Sequence, residues 1–510
     1  MADFESYDFS PLDHPGEECG VFGVYNQGQA PGDPTVGDMT YKALLELQNR
    51  GHDAAGMAVA DTVGGIVVVK QLGRVEDALH GGRVTSGLDN GAMASGHVRY
   101  ITSATKSRVD RFSAAQPILE SNVNGDVVLS HNGHIANSQE LIEAHDLDAD
   151  TCGTDSQLMT YLIAKGVENG LPLQQAVNNT ARELNGAFSL VIMGQGQLIG
   201  LRDPRGTRPL MLGELPSGGS MLASETTALD VNGARFVREI EPGEMIVIDK
   251  DGPRSSSPFT PQEIDEKLCV FEKIYFSDPR NILQGSRVED DRFRMGEELG
   301  LEHPVGHADI VVGIPNSGMS AAEGYSEASG IPLAAGLERK RRDDGSLEEG
   351  RSFMFATQEH RRRAVRDKLA PIPSILEGKV VVAVDDSVVR GTTTGEIIDM
   401  FREGGAREVH LRVASPPYQY PCFAGMDTPE QSSLIAANMT LEEIAAHMGV
   451  DSLQYLSLEG LHRAAGNNPT SRLCDACLTG DYPNVLPPRV AITITPVDHF
   501  EKSNAQASER

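Results

Sequence analysis

Residues 380–394 read VVVAVDDSVVRGTTT, and this string narrows the possible architecture more than any other stretch of the chain. Five small or β-branched apolar residues predict a short strand buried on both faces, ending where Asp385 and Asp386 emerge. Gly391 permits a tight loop, and Thr392, Thr393 and Thr394 lead into an amphipathic run over 395–403 that predicts a helix. In open α/β sheets ligands collect at the carboxyl ends of the strands, where a following helix offers free N–H groups to an anion. Two carboxylates beside such a cradle suit ribose hydroxyls or Mg²⁺, and the loop itself suits a phosphate. An ordinary strand, an acidic turn and a threonine N-cap would leave the same short pattern.

At 510 residues the chain is long enough for two to four domains, each with its own core. It is 39% hydrophobic and 23% charged, with no apolar run near the length of a membrane span. A formal charge of −29 argues against an extended nucleic-acid footprint. Basic residues nonetheless concentrate over 339–368, where ten Lys or Arg stand against six Asp or Glu, which suits a pyrophosphate or nucleotide. Residues 1–18 hold six acids and no Lys or Arg, so they lack the marks of a secretory or transit signal, and the cytoplasm is expected. The tail 484–510 ends in a polar stretch expected to be disordered.

Cys19 opens a strand-like run, CGVFGVY, and the next polar groups of note are Arg99, the pair Asn132-Gly133, and Asp155. A lone cysteine near a terminus is most often a small buried hydrophobe. Hydrolysis of a carboxamide, however, needs a thiolate, a base, an oxyanion hole and groups that hold the substrate's charged ends. Cleavage before Cys19 would give it an α-amino group with a pKa near 8, a usable base beside its own thiol. Asn132 and Gly133 can donate to an oxyanion, Arg99 suits a carboxylate and Asp155 an ammonium. The set matches glutamine.

Residues 19–25, 47–56 (LQNRGHDAAG), 96–102 (GHVRYIT), 131–137 (HNGHIAN) and 203–210 (DPRGTRPL) resemble the class II, N-terminal-nucleophile glutaminase domain. Residues 380–394 resemble the binding loop of type I phosphoribosyltransferases, which bind phosphoribosyl pyrophosphate (PRPP). Over 19–483 the chain thus resembles the glutamine PRPP amidotransferase family. The resemblance implies a leader, 1–18, removed autocatalytically to free Cys19 as nucleophile. It implies that Asn132 and Gly133 form the oxyanion hole, that Arg99 and Thr102 hold the glutamine carboxylate end, and that Asp155 binds its amine. Arg50 is placed with this glutamine-binding group, as a residue that helps organise it. The family usually has His and Gln where this chain has Asn49 and His52, so altered packing is expected there.

The fold class implied is α/β (α+β), an αββα glutaminase sandwich over 19–250 followed by a doubly wound parallel-sheet phosphoribosyltransferase domain over 263–483. The polar stretch 251–262 is expected to link them. Strands are predicted at 310–315, 331–335, 380–384 and 409–414, with a helix over 321–328. In the PRPP site the resemblance implies Asp385, Asp386, Ser387, Arg390, Gly391, Thr392, Thr393 and Thr394. Ser317 joins Asp385 and Asp386 on the Mg²⁺ side, although Asn316 replaces the usual acid before it. Residues 336–342 and 350–353 correspond to a loop that closes over PRPP, lengthened here by 343–349.

Cys474-Asp475-Ala476-Cys477 is a C-x-x-C compatible with zinc, a redox pair or an iron–sulfur cluster. With Cys269 and Cys422, each beside aromatics and proline, it resembles the cluster-bearing branch of the family, which implies one [4Fe–4S] cluster on Cys269, Cys422, Cys474 and Cys477. Cys152 is left over and expected to be inert.

The activity implied is glutamine-dependent transfer of ammonia to PRPP, giving 5-phosphoribosylamine, glutamate and pyrophosphate, the first committed step of purine synthesis. Purine nucleotides are the expected feedback inhibitors, and a homo-oligomer is expected. Two other readings differ in class. One is an amidotransferase with another acceptor; the other is a PRPP- or nucleotide-sensing regulator without catalysis.

Overall fold

Strand Gly20–Tyr25 sends alternate side chains to opposite faces of its sheet, and both faces are buried. Val21 and Tyr25 enter one hydrophobic layer, while Phe22 and Val24 enter another. A strand covered on both sides needs a layer above and a layer below, and the chain supplies both. The computed structural model describes residues 19–26, 33–61, 65–81, 91–100, 112–148, 152–315, 317–340, 365–426, 428, 430–466 and 472–483. The leader 1–18, Thr102, Asn316, most of the expected closing loop (341–364) and the tail 484–510 lie outside them.

Gly20–Tyr25 lies in the middle of a seven-stranded sheet, between Ser220–Ala223 and Gly91–Arg99. A second, six-stranded sheet runs from Gly252–Ser256 through Met245–Asp249, Gln197–Arg202, Gly186–Gly194 and Gly125–Ile135 to Ile118–Asn122. Val21, Val191, Leu198, Leu222 and Ile246 pack between the two sheets. On the first sheet's outer face lies helix Val36–Glu46, started by a capping box in which Thr35 Oγ1 accepts from the Asp38 N–H at 3.0 Å. Helices Asp155–Glu168 and Leu173–Ala181 cover the second sheet through Leu158, Ile163 and Val177 against Leu129, Phe188 and Leu190. The result is the αββα sandwich.

The second half holds a parallel sheet in the order Ile310–Gly313, Val380–Asp385, Glu408–Val413, Ser452–Tyr455. Helices Gly318–Ser329 and Thr392–Glu403 follow the first two strands, as a parallel sheet requires. Val380–Asp385 is buried throughout, with neighbours on both edges.

Two expectations need correction. The stretch 331–335 is not a strand but a single parallel bridge between Leu333 and Val311. Val311 donates to the Pro332 carbonyl at 2.9 Å and accepts from Ala334 at 2.8 Å, but Pro332 has no N–H to extend the ladder on one side, and on the other the Gly336 N–H turns back to the Ala334 carbonyl at 3.1 Å. The stretch 251–262 does not begin as a linker, because Gly252–Ser256 pairs with Met245–Asp249 as the edge of the second sheet. Its polarity is that of an exposed edge strand.

A short parallel ribbon, Leu268–Cys269 with Leu473–Cys474, ties the chain's end to the segment leaving the sandwich. No helix among the described residues is long and apolar enough to cross a membrane.

Candidate active sites

Strand Gly125–Ile135 carries Asn132 and Gly133, and its pairing decides where their polar groups go. Gly133 stands opposite Phe188, whose N–H donates to Asp203 Oδ2 at 3.1 Å and whose carbonyl accepts from the Asp203 N–H at 2.9 Å. Opposed residues in an antiparallel ladder exchange both backbone bonds or neither, so Gly133 keeps its N–H outside the ladder. The amides two residues to either side point the same way. His131 N–H donates to Gln116 Oε1 at 2.7 Å, and Ile135 N–H to Asp155 Oδ2 at 3.1 Å. Gly133 has a φ of +142°, and a Cβ there would stand 2.0 Å from the Ala187 carbonyl oxygen, so only glycine fits. The adjacent Asn132 is buried, and its Nδ2 has no hydrogen-bond partner among the described residues. A buried donor without a partner costs about 1–3 kcal/mol unless a ligand satisfies it.

Cys19 lies just before Gly20–Tyr25, and its carbonyl accepts from Arg50 Nε at 3.3 Å. Arg99 closes strand Gly91–Arg99, is 6% exposed, and leaves Nη1 unpartnered among the described residues. Burial lowers its pKa, while the nearby Cys19, Asp155 and Asp53 raise it. Thiol, guanidinium and carboxylate therefore share one neighbourhood. Asp155 opens helix Asp155–Glu168. Burial opposes its ionisation, but His131, His134 and the N–H groups of Ile135 and Ser156 outweigh that and hold its pKa below the ordinary range. Beneath, His97 Nε2 meets the His131 carbonyl at 3.0 Å, and burial drives the His97 pKa down to about 3.

Arg50, expected to help organise the glutamine site, lies against two buried acids. Its guanidinium lies 2.6 Å from both Glu225 Oε1 and Glu272 Oε1, and all three side chains are fully buried. Glu225 also accepts from Asn49 Nδ2 at 3.1 Å, and that amide donates as well to the Phe276 carbonyl at 3.2 Å. The unusual Asn49 thus stitches the sandwich to the segment that follows it. Sequence reasoning missed Glu225 and Glu272. An acid inside the apolar run CVFEKIYF was the available signal for Glu272.

The second site forms where Val380–Asp385 ends. Asp385 and Asp386 are almost fully buried, as are Ser387 and Thr394. Thr394 Oγ1 donates to Asp385 Oδ2 at 3.0 Å, Ser387 Oγ to Asp386 Oδ1 at 2.7 Å, and Ser317 Oγ donates to the other oxygen of Asp386. The loops bearing Ser317 and Asp385 touch, since a Cβ on Gly318 would stand 3.2 Å from Asp385 Cα. Gly391 is left-handed (φ +80°) and starts the helix whose first residues are Thr392, Thr393 and Thr394. Arg390 precedes that turn. Hydroxyl and carboxylate oxygens are the donors here, a set suited to a hard cation or to sugar hydroxyls. The stem of the expected closing loop is a two-stranded ribbon, Leu337–Arg339 with Leu369–Pro371. Beside it Arg366 pairs with Glu396 and Glu403 on that same helix.

Cys269, Cys422, Cys474 and Cys477 gather at the ribbon. Cys269 and Cys474 are ladder partners, and the Cys477 carbonyl accepts from Gln419 and Tyr420, just before Cys422. Burial pushes the Cys474 thiol up to about 12, with Cys422 adding to the shift. Burial and the other three thiols push Cys477 well above its ordinary value. Cys152 sits elsewhere, in the core beneath the second sheet. Among the described residues, the one group of three or more His, Cys, Asp or Glu ligand atoms within 4.8 Å of one another is His307, Glu408 and His410. It lies at the opposite end of the parallel sheet from Asp385.

Residues 103–231 match the glutamine amidotransferase domain family, and residues 301–416 match the phosphoribosyl transferase domain family. The chain is 40% identical to the amidophosphoribosyltransferase of Mycobacterium tuberculosis, over 98% of this chain and 92% of that one. It is 41% identical to the amidophosphoribosyltransferase of Synechocystis, over 94% and 93%. Among solved structures it resembles the glutamine phosphoribosylpyrophosphate amidotransferase of B. subtilis complexed with ADP and GMP. That match has a TM-score of 0.81 and 36% identity, covering 94% of this chain and 100% of that one.

Proposed function

The chain belongs to the amidophosphoribosyltransferases, the glutamine-dependent PRPP amidotransferases of purine biosynthesis, and on that premise we propose how its residues divide the reaction. In the first half, the Cys19 thiol gives up its proton to the α-amino group exposed by loss of residues 1–18, and its sulfur attacks the glutamine side-chain carbonyl. The Gly133 N–H and the Asn132 amide receive the oxyanion. The α-ammonium returns its proton to the departing nitrogen as collapse expels ammonia and leaves a thioester, and water then releases glutamate and restores the thiol. Arg99 takes the substrate carboxylate on its spare Nη1, with Thr102, and Asp155, held ionised, takes the ammonium. Arg50 is a positioning residue that holds the nucleophile by its own carbonyl.

In the second half ammonia, kept inside the protein, attacks C1 of PRPP and displaces pyrophosphate. Thr394 and Ser317 now occupy Asp385 and Asp386 with hydroxyl donors, and ribose hydroxyls can replace them like for like. Ser387, Arg390, Gly391, Thr392, Thr393 and Thr394 surround the 5-phosphate at the helix start. Mg²⁺, held on the side of Asp385, Asp386 and Ser317, would neutralise charge on the leaving pyrophosphate. The observation that carries the reading is one chain with Arg99, its Nη1 unpartnered among the described residues, near Cys19, a buried and unpartnered Asn132 amide, and an oxygen-lined strand end at Asp385.

The four cysteines fit a [4Fe–4S] cluster better than a single zinc ion. Tetrahedral Zn–S bonds of about 2.3 Å draw sulfurs to about 3.8 Å from one another. No three of these sulfurs lie within 4.8 Å, although their charges act on one another. A cluster would supply the cationic centre that four adjacent thiolates need, and it would tie the chain's end to the domain junction. The solved relative's complex with ADP and GMP supports purine nucleotides as feedback inhibitors here, near the PRPP loop and the basic stretch 339–368. A homo-oligomer is part of the same reading.

A PRPP-dependent glutaminase assay tests the coupling of the halves. Glutamine hydrolysis should rise severalfold with PRPP, and hydrolysis indifferent to PRPP would detach the second site from the first. Intact mass tests the leader, since a mature chain that still carries residues 1–18 removes the amine base.

A further inference from the structure

Segment 203–208 (DPRGTR) runs between the four cysteines and the strand that pairs with Asn132 and Gly133, and it is bonded to both. On one side, Asp203 takes both backbone groups of Phe188, the residue opposite Gly133. The Arg208 carbonyl accepts from Ser189 Oγ at 3.0 Å, and Ser189 is the residue opposite Asn132. On the other side, the Thr207 carbonyl accepts from the Cys269 N–H at 3.1 Å. Arg208 Nε donates to the Ala424 carbonyl at 3.1 Å, and Nη2 donates to the same oxygen. Ala424 is two residues from Cys422, and its own N–H donates to Cys422 Sγ at 3.3 Å.

The two sides also meet directly. Gly425 has a φ of +118°, and a Cβ on it would stand 3.0 Å from Arg208 Nη2 and 3.4 Å from the Gly133 carbonyl carbon. The loop of Cys422 therefore rests against the oxyanion glycine, and a Cβ on Gly425 would touch Gly133 and press on the end of the Arg208 side chain. Arg208 is 0% exposed, and its Nη1 lies 3.8 Å from Glu272, the acid that also pairs with Arg50 and so with the Cys19 carbonyl. A fully buried guanidinium that donates twice to one carbonyl and faces a buried acid at 3.8 Å is a rigid spacer, which a lysine's single ammonium would not reproduce.

We propose that Arg208 is a positioning residue for glutamine hydrolysis, transmitting the order of the Cys422 loop to the Asn132 and Gly133 donors, so that the four-cysteine centre governs the glutaminase half. The inference rests on the roles given above to Cys19, Asn132 and Gly133. Oxyanion donors act only when aimed to within a fraction of an ångström, so loosening the loop lowers the rate of the chemical step and spares glutamine binding. Arg99 and Asp155, which hold the substrate's ends, make no hydrogen bond to segment 203–208 among the described residues.

The test uses the processed, full-length enzyme with its cysteine centre loaded. Arg208→Gln should lower kcat for PRPP-stimulated glutamine hydrolysis by about tenfold or more, with KM for glutamine within about twofold. Alkylation of Cys19 by iodoacetamide, which forms no oxyanion, should keep its wild-type rate, while labelling by a glutamine-like chloroketone slows with kcat. Synthesis of phosphoribosylamine from free ammonia should be unchanged. An unchanged kcat, or an equal loss in all four measurements, overturns the proposal. Gly425→Ala, which adds one methyl between Arg208 and Gly133, should give the same pattern more weakly and decides the matter if Arg208→Gln does not fold. Asn132→Ala separates the two layers of inference. If it leaves kcat intact, the oxyanion assignment fails; if it alone lowers kcat, only the role of Arg208 fails.

Discussion

Cys269 lies directly opposite Cys474 in a two-stranded parallel ribbon, so residues 205 apart in sequence present their thiols at one spot. The ribbon has only two residues per strand, packed through Leu268 and Leu473, and the proposed cluster would add a bond from each strand. Cys269→Ser should therefore abolish the broad absorbance near about 400 nm expected of a thiolate-bound cluster and should also free the chain's end to proteolysis. Absorbance and limited digestion of the same sample check both. A colourless wild-type protein containing stoichiometric zinc would refute the cluster assignment.

Glu272 is the shared counter-charge of Arg50 and, at longer range, Arg208. Glu272→Gln removes one of the two carboxylates 2.6 Å from buried Arg50 and the acid 3.8 Å from Arg208, and breaking a buried pair costs about 3–5 kcal/mol in comparable cases. Urea unfolding should show a loss of that order. A change under about 1 kcal/mol would mean that Glu225 alone balances Arg50.

His97 is held neutral by burial, with a pKa of about 3 in the folded protein. Below its unfolded value of about 6.5 the unfolded chain binds the extra proton, so stability falls as pH drops from there toward about 3. His97→Gln should flatten the stability curve over that window and leave it unchanged above pH 7 or so. Thermal melts across the range measure the difference, and parallel curves would remove His97 as the cause.

Gly391→Ala forces a side chain into a left-handed turn, at about 1–2 kcal/mol, and brings its Cβ to 2.8 Å from Met448 Cε. The turn starts the helix proposed to hold the 5-phosphate. KM for PRPP should rise about fivefold to thirtyfold, while glutamine hydrolysis without PRPP stays as in wild type. Initial-rate kinetics with each substrate varied in turn separates the two effects.

Much of the fold was legible because the signals were local. The apolar runs around 310, 380 and 409 became the strands Ile310–Gly313, Val380–Asp385 and Glu408–Val413. The edge strand Gly252–Ser256 was misread because it has no buried face to mark it, and the strand expected at 331–335 shrank to one bridge, bounded by Pro332, which cannot donate, and by the turn of Gly336 back onto Ala334. At the sites, Arg99, Asn132, Asp155 and the Asp385-Asp386 pair could be picked out by residue type. What Arg50 and Arg208 do could not. Their roles depend on Glu225, far from Arg50 along the same half, and on Glu272 and Ala424, which reach them through the packing of the later segments against that half.

Arg50 Nε donates to the Cys19 carbonyl, the backbone group that leads on to Gly20. That hold does not depend on what precedes the cysteine. A gene begun with an initiator methionine placed directly before Cys19 should accordingly yield the same seated residue once a host aminopeptidase trims the methionine. The enzyme can then be produced without relying on its own maturation, and any purification tag belongs at the other end.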